Sequence, residues 1–119
     1  MLKESWITDK VEIYTTSGWV NVTNINKISD IVGYENETFT RAKIKSFDIR
    51  DFNGKLPGIK EPIGNIHYHR GKLFTPSKLE NKPETTLFPY VGKLYHLVTS
   101  TGNYFIKSKG KYILCEIVG

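Results

Sequence analysis

Val11-Glu12-Ile13-Tyr14-Thr15-Thr16-Ser17-Gly18-Trp19-Val20-Asn21-Val22 alternates apolar and polar residues on either side of a Ser-Gly pair. A strand presents successive side chains to opposite faces, so Val11, Ile13 and Thr15 share one face and Glu12 and Tyr14 the other. Ser17-Gly18 then returns the chain into a second strand at Trp19, which predicts a β-hairpin. β-Branched residues at the same spacing dominate the rest of the chain, and no segment carries a helical stripe. The predicted class is therefore all-β, with twisted antiparallel strands in one compact domain spanning residues 1–119.

Beyond the hairpin, Val22-Thr23-Asn24-Ile25-Asn26-Lys27-Ile28 spaces its apolar residues by three. This predicts a short helical or 3₁₀ turn before a strand at Ile31-Val32-Gly33-Tyr34. Phe39 to Phe52 reads as one long strand. Within it Ala42 and Ile44 have one parity and Phe47 and Ile49 the other, so burying both pairs requires a bulge near Lys45-Ser46. Asn53 to Gly64, with its Asn-Gly, Pro-Gly and second proline, reads as a loop or wide hairpin connection. Ile66 to Thr75 reads as a strand broken at Gly71, Thr75-Pro76-Ser77-Lys78-Leu79 as a helix start, and Asn81-Lys82-Pro83-Glu84 as a polar loop. The closing strands, Lys93 to Ser100, Tyr104 to Ser108 and Tyr112 to Val118, are joined by Thr101-Gly102-Asn103 and Lys109-Gly110-Lys111 and predict a meander. Many short strands at this spacing imply a sandwich or a partly closed barrel.

Composition narrows the function classes. With 119 residues, 39% hydrophobic and 13% aromatic, the chain fills one core, and most aromatic side chains are needed inside it. No apolar run approaches the roughly 20 residues of a membrane span, and Met1-Leu2-Lys3-Glu4-Ser5-Trp6 contains no signal-peptide stretch, so a soluble, non-secreted protein is expected. The single cysteine, Cys115, rules out an internal disulfide framework and a cysteine-cluster zinc site. Its strand setting predicts a buried, inert thiol. The net charge of +5 is uneven: residues 1–69 carry nine basic and nine acidic side chains, residues 70–119 eight and three. Lys107, Lys109 and Lys111 around Gly110, with Arg70 and Lys72, form the candidate contact surface for a more acidic protein partner, against the ordinary reading of a solvated turn.

Two stretches together resemble a known family. The opening, Trp6-Ile7-Thr8-Asp9-Lys10-Val11-Glu12-Ile13-Tyr14-Thr15-Thr16-Ser17-Gly18-Trp19-Val20 followed by Ser29-Asp30-Ile31-Val32, is similar to the start of Hint domains, the fold of inteins and hedgehog autoprocessing domains. The closing Tyr90-Val91-Gly92-Lys93-Leu94-Tyr95-His96-Leu97 and Gly102-Asn103-Tyr104-Phe105-Ile106 resemble the last hairpin of that family. The resemblance covers residues 5–115, with the middle unassigned, and implies a Hint-like β domain. Splicing in that family uses a Cys or Ser nucleophile, a Thr-x-x-His motif, a terminal His-Asn pair and an acceptor Cys, Ser or Thr. Aligning on Gly18-Trp19 puts Trp6 at the nucleophile position, with Ser5 one residue earlier. No Thr-x-x-His and no His-Asn occurs in the chain.

Two further constellations bear on chemistry. His67-x-His69 puts two imidazoles on one face of a strand, a weak metal candidate whose third ligand would be His96, Glu61 or Asp48. Basic and aromatic residues interleave at Arg70 to Phe74 and Gly102 to Lys107. Tyr104 and Phe105 face opposite ways, however, so core packing explains them better than a nucleic-acid platform does. The sequence thus predicts a non-catalytic structural or interaction module without cofactor, docking on a larger protein assembly and binding neither membrane nor, on this balance, nucleic acid. Its Ile-, Lys- and Asn-rich wording and degenerate Hint likeness resemble small bacteriophage virion or tail-associated proteins. Self-cleavage at Ser5 and nucleic-acid binding are the alternatives.

Overall fold

Alternation decides where each strand puts its side chains, and the computed structural model, which describes residues 5–58, 61–66 and 87–116, realises it in nine strands and one 3₁₀ turn. In chain order these are β1 (Trp6–Thr8), β2 (Glu12–Thr15), β3 (Gly18–Asn21), the 3₁₀ turn Val22–Asn24, β4 (Asp30–Glu35), β5 (Thr38–Pro57), β6 (Gly64–Asn65), β7 (Leu87–Thr99), β8 (Asn103–Ser108) and β9 (Lys111–Glu116). Pairing is antiparallel throughout, in the order β6-β1-β7-β5-β4-β2-β8-β9 with β3 added to β2. Among the described residues no helix is long and apolar enough to cross a membrane.

β5 joins the two halves of the sheet. Thr38 to Lys43 pair with β4, and Ile44 to Pro57 with β7. The register shifts between Ile44 and Ser46, where the sequence requires an extra residue. That bulge bends the strand, and the sheet curls around a core that includes Ile7, Ile13, Ile31, Leu97, Tyr104 and Ile106. A second cluster of Leu56, Tyr90 and Leu94, with Trp6 and Phe52 against it, fills the far end of the β5–β7 ribbon. The predicted hairpin is present with Thr15 opposite Gly18, and the 3₁₀ turn follows it, capped by Asn21, whose Oδ1 accepts from Thr23 N. Cys115 is buried in the core, and burial pushes its thiol well above the ordinary value.

Three expectations are corrected. Asn53-Gly54 is not a turn, because β5 runs on to Pro57 and pairs with a β7 that already starts at Leu87. The glycines there make room for rings: a Cβ on Gly92 would lie 2.9 Å from the Tyr90 hydroxyl, and one on Gly54 would lie 3.0 Å from the Phe52 ring. The closing strands are not a three-stranded meander. β8 and β9 form a hairpin, but β7 pairs with β5 and β1 and β8 with β2, so Ser100-Thr101-Gly102 turns a corner between the halves. Ile49, expected inside with Phe47, is 57% exposed: Tyr95 opposite it on β7 is buried on the same face, but on its other side β5 has no strand beside it here among the described residues. The strand predicted at Ile66 to Thr75, the helix start at Thr75 and the loop at Asn81 lie outside the described residues, apart from Ile66 itself.

Candidate functional site

β1 sits between β6 and β7, with Ile7 opposite both Gly64 and Tyr95. This placement brings Ser5 beside the end of β9, where the Ser5 hydroxyl donates to the Glu116 carbonyl at 3.2 Å across almost the whole sequence. Gly64 makes the close approach possible: its φ of +134° suits only glycine, and a Cβ there would lie 2.0 Å from the Trp6 carbonyl oxygen. The two ends of the described chain thus meet at a buried serine.

His96, buried on β7, places Nδ1 3.1 Å from the Ser5 carbonyl oxygen. A carbonyl only accepts, so this bond puts the proton on Nδ1. The Trp6 ring packs on the imidazole with centroids 5.1 Å apart, and the Arg50 guanidinium stands 4.2 Å from the Trp6 ring centre. Nucleophilic attack by Ser5 would need a base to take its hydroxyl proton. The hydroxyl donates to a main-chain carbonyl, and the nearby imidazole is turned to the Ser5 carbonyl, which precedes Trp6 and is not the carbonyl Ser5 would attack. The arrangement ties Ser5, at the start of the described chain, to β7 and to the end of β9.

The basic turn is built differently. Lys107 on β8 lies opposite both Glu12 and Tyr112. Its ammonium is 3.9 Å from the Glu12 carboxylate and sits between the rings of Trp19 and Tyr112, at 5.8 and 5.6 Å from their centres. Lys109, held at a φ of +49° in the β8–β9 turn, reaches Glu61 at 3.9 Å, while Ser108 Oγ donates to the same Glu61 side chain at 2.8 Å. Lys111 contributes its backbone to the hairpin. Arg70, Lys72, His67 and His69 lie outside the described residues, so the predicted contact surface is present only at its Lys107–Lys111 end. The three proposed companions of the histidines are apart in role: His96 faces Ser5, Glu61 faces Ser108 and Lys109, and Asp48 is exposed on β5. Among the described residues no three His, Cys, Asp or Glu side chains are grouped to hold a metal.

An aromatic cluster that the sequence reading did not foresee lies on the opposite face from the core. Tyr14, Trp19, Tyr34, Phe39, Phe105 and Tyr112 form an unbroken chain of ring contacts with centroids 4.8 to 6.4 Å apart. Phe105 is nearly covered at its centre. Tyr104 goes to the core and Phe105 to this cluster, so the prediction of opposite faces holds, but the expectation that most rings fill the central core does not. The parity of Tyr14 against Ile13 carried the signal; which strands would lie beside it was not readable. A comparison with models of protein families gives no match, and a comparison with curated proteins gives none either.

Proposed function

We propose that this chain is a non-catalytic binding module on a Hint-like frame, a structural part of a larger protein assembly; a bacteriophage virion or tail is the assembly that the resemblance implies. The supporting observation is the packing of Trp6. At the position where such a frame carries its nucleophile, an indole ring is held against His96 and beneath Arg50, and the neighbouring Ser5 hydroxyl donates to the Glu116 carbonyl. The Lys107–Lys111 turn is the contact surface. Its ion pairs to Glu12 and Glu61 are long and partly exposed, of the kind worth at most about 1 kcal/mol. A carboxylate-rich partner can take over both lysines at little cost.

Intact-mass spectrometry of the purified chain, incubated at neutral pH with and without hydroxylamine or a thiol, tests the reading. The expected result is an unchanged mass. A product beginning at Ser5 or Trp6 would overturn it in favour of self-cleavage.

A further inference from the structure

The edge of β5 that pairs with β4 ends its pairing at Lys43, while β7 occupies the opposite edge through to Pro57: Ser100 N donates to Lys43 O, so the main chain of Lys43 already faces the β7 side. From Ser46 to Leu56 the first edge therefore has no strand beside it among the described residues, while at Pro57 the carbonyl accepts from Ile63 N. Asp48, Ile49, Arg50 and Asp51 are consecutive exposed residues on this stretch, with Ile49 and the Asp51 side chain at 57% and 85% exposure. An unpaired edge of this length is a template for another strand.

We infer that this edge pairs with the same edge of a second copy, antiparallel, about a two-fold axis through Ile49. The argument is the charge pattern. A two-fold axis normal to the sheet opposes residues whose numbers sum to twice the axis position. Centred on Ile49, it opposes Ile49 to Ile49, Asp48 to Arg50 and Arg50 to Asp48. An exposed apolar pair is then flanked by two opposite-charge pairs on the other face. Centred on Asp48, Arg50 or Asp51, it opposes two like charges at the axis itself. Charged residues on an edge ordinarily prevent association, but this set excludes the neighbouring registers and favours one. The Asp48 carboxylate has no ion pair within the chain among the described residues; Arg50 rests on Trp6 of β1, across β7 from this edge, and pairing with the partner's Asp48 swings its guanidinium off the indole. This dimer is read out separately from self-cleavage, since the first changes the oligomeric state and the second the intact mass.

Sedimentation or light scattering of the full chain over a concentration series is expected to show a monomer–dimer equilibrium. Asp48→Arg alone and Arg50→Asp alone each turn two attractive pairs repulsive and are expected to raise the dimer dissociation constant about 30-fold. The double variant D48R/R50D restores complementarity and is expected to dimerise again. Because Arg50 packs on Trp6, Asp48→Arg is the variant to rely on if Arg50→Asp does not fold. Ile49→Cys is expected to give a disulfide-linked dimer on mild oxidation, the native Cys115 being buried. A wild-type chain that stays monomeric throughout, or a dimer indifferent to Asp48→Arg, overturns the proposal.

Discussion

At the scale of single residues, two tyrosines show how burial and partnership separate. Tyr104 is fully buried with a hydroxyl that has no hydrogen-bond partner among the described residues, and burial holds its ionisation well above the ordinary value. An unmade bond at a buried hydroxyl costs about 1–3 kcal/mol, so Tyr104→Phe is expected to leave stability unchanged or to raise it by about that much in urea denaturation; a loss would show that the hydroxyl has a role in the fold. Tyr90 is the opposite case, because its hydroxyl donates to Lys93 O at 2.6 Å and accepts from Asp9 N at 3.1 Å. Burial first, and then the Asp9 carboxylate, push its ionisation up from 10 to about 12. A group whose folded value is raised stabilises fully below its unfolded value and loses that contribution as pH rises through the folded value. Tyr90→Phe should therefore be less stable than the natural chain up to pH 10, and the gap should close between pH 10 and about 12, as read from thermal melts across that range.

At the scale of elements, side chains stand in for backbone where strands fail to pair. β4 and β8 share no ladder, yet Asn103 closes the gap: its Oδ1 accepts from Tyr34 N and its Nδ2 donates to Tyr34 O, both at 2.8 Å, as a neighbouring peptide would. Thr101 Oγ1 supports Asn103, and Gly33 is a glycine because a Cβ there would lie 2.1 Å from that oxygen. Asn103→Ala leaves a main-chain donor and acceptor of Tyr34 without partners and is expected to cost about 2–4 kcal/mol in denaturant unfolding, with Asn103→Asp recovering little because its carboxylate faces the Tyr34 carbonyl. A cost under about 1 kcal/mol would mean that water replaces the amide. The fold class, first hairpin, 3₁₀ turn and β5 bulge were legible, since each is written in local alternation or in a parity conflict within one strand. The corner after β7 and the run of β5 through Asn53-Gly54 were not. There the glycines accommodate Tyr90 and Phe52, and a glycine reads the same in a turn as beneath a ring. The candidate site was half legible: Ser5 and Trp6 stood out against the Hint pattern, whereas His96 beside Ser5 and Glu12 beside Lys107 depend on strand order that no single segment encodes.

At the scale of the whole molecule, the consequence of that strand order is that the sheet begins and ends in one place. Ser5 touches Glu116, so a short designed connector can join the two ends of the described chain across a gap of a few ångströms. The place to open the chain is the β4–β5 turn, where Asn36 and Glu37 are both at positive φ, exposed, and outside every core contact. Glu37 in that conformation is mildly strained, so cutting there releases strain as well as a hairpin link. A circular permutant running from Glu37 to Asn36 is expected to fold with the natural sheet signal in far-UV circular dichroism and a single cooperative transition. A permutant opened between Lys45 and Ser46 carries the same connector but severs β5 where it passes from β4 to β7, and is expected not to fold cooperatively. If both permutants fold alike, the halves are held by their shared core alone; if only the first does, the continuity of β5 through its bulge is what makes two halves into one sheet.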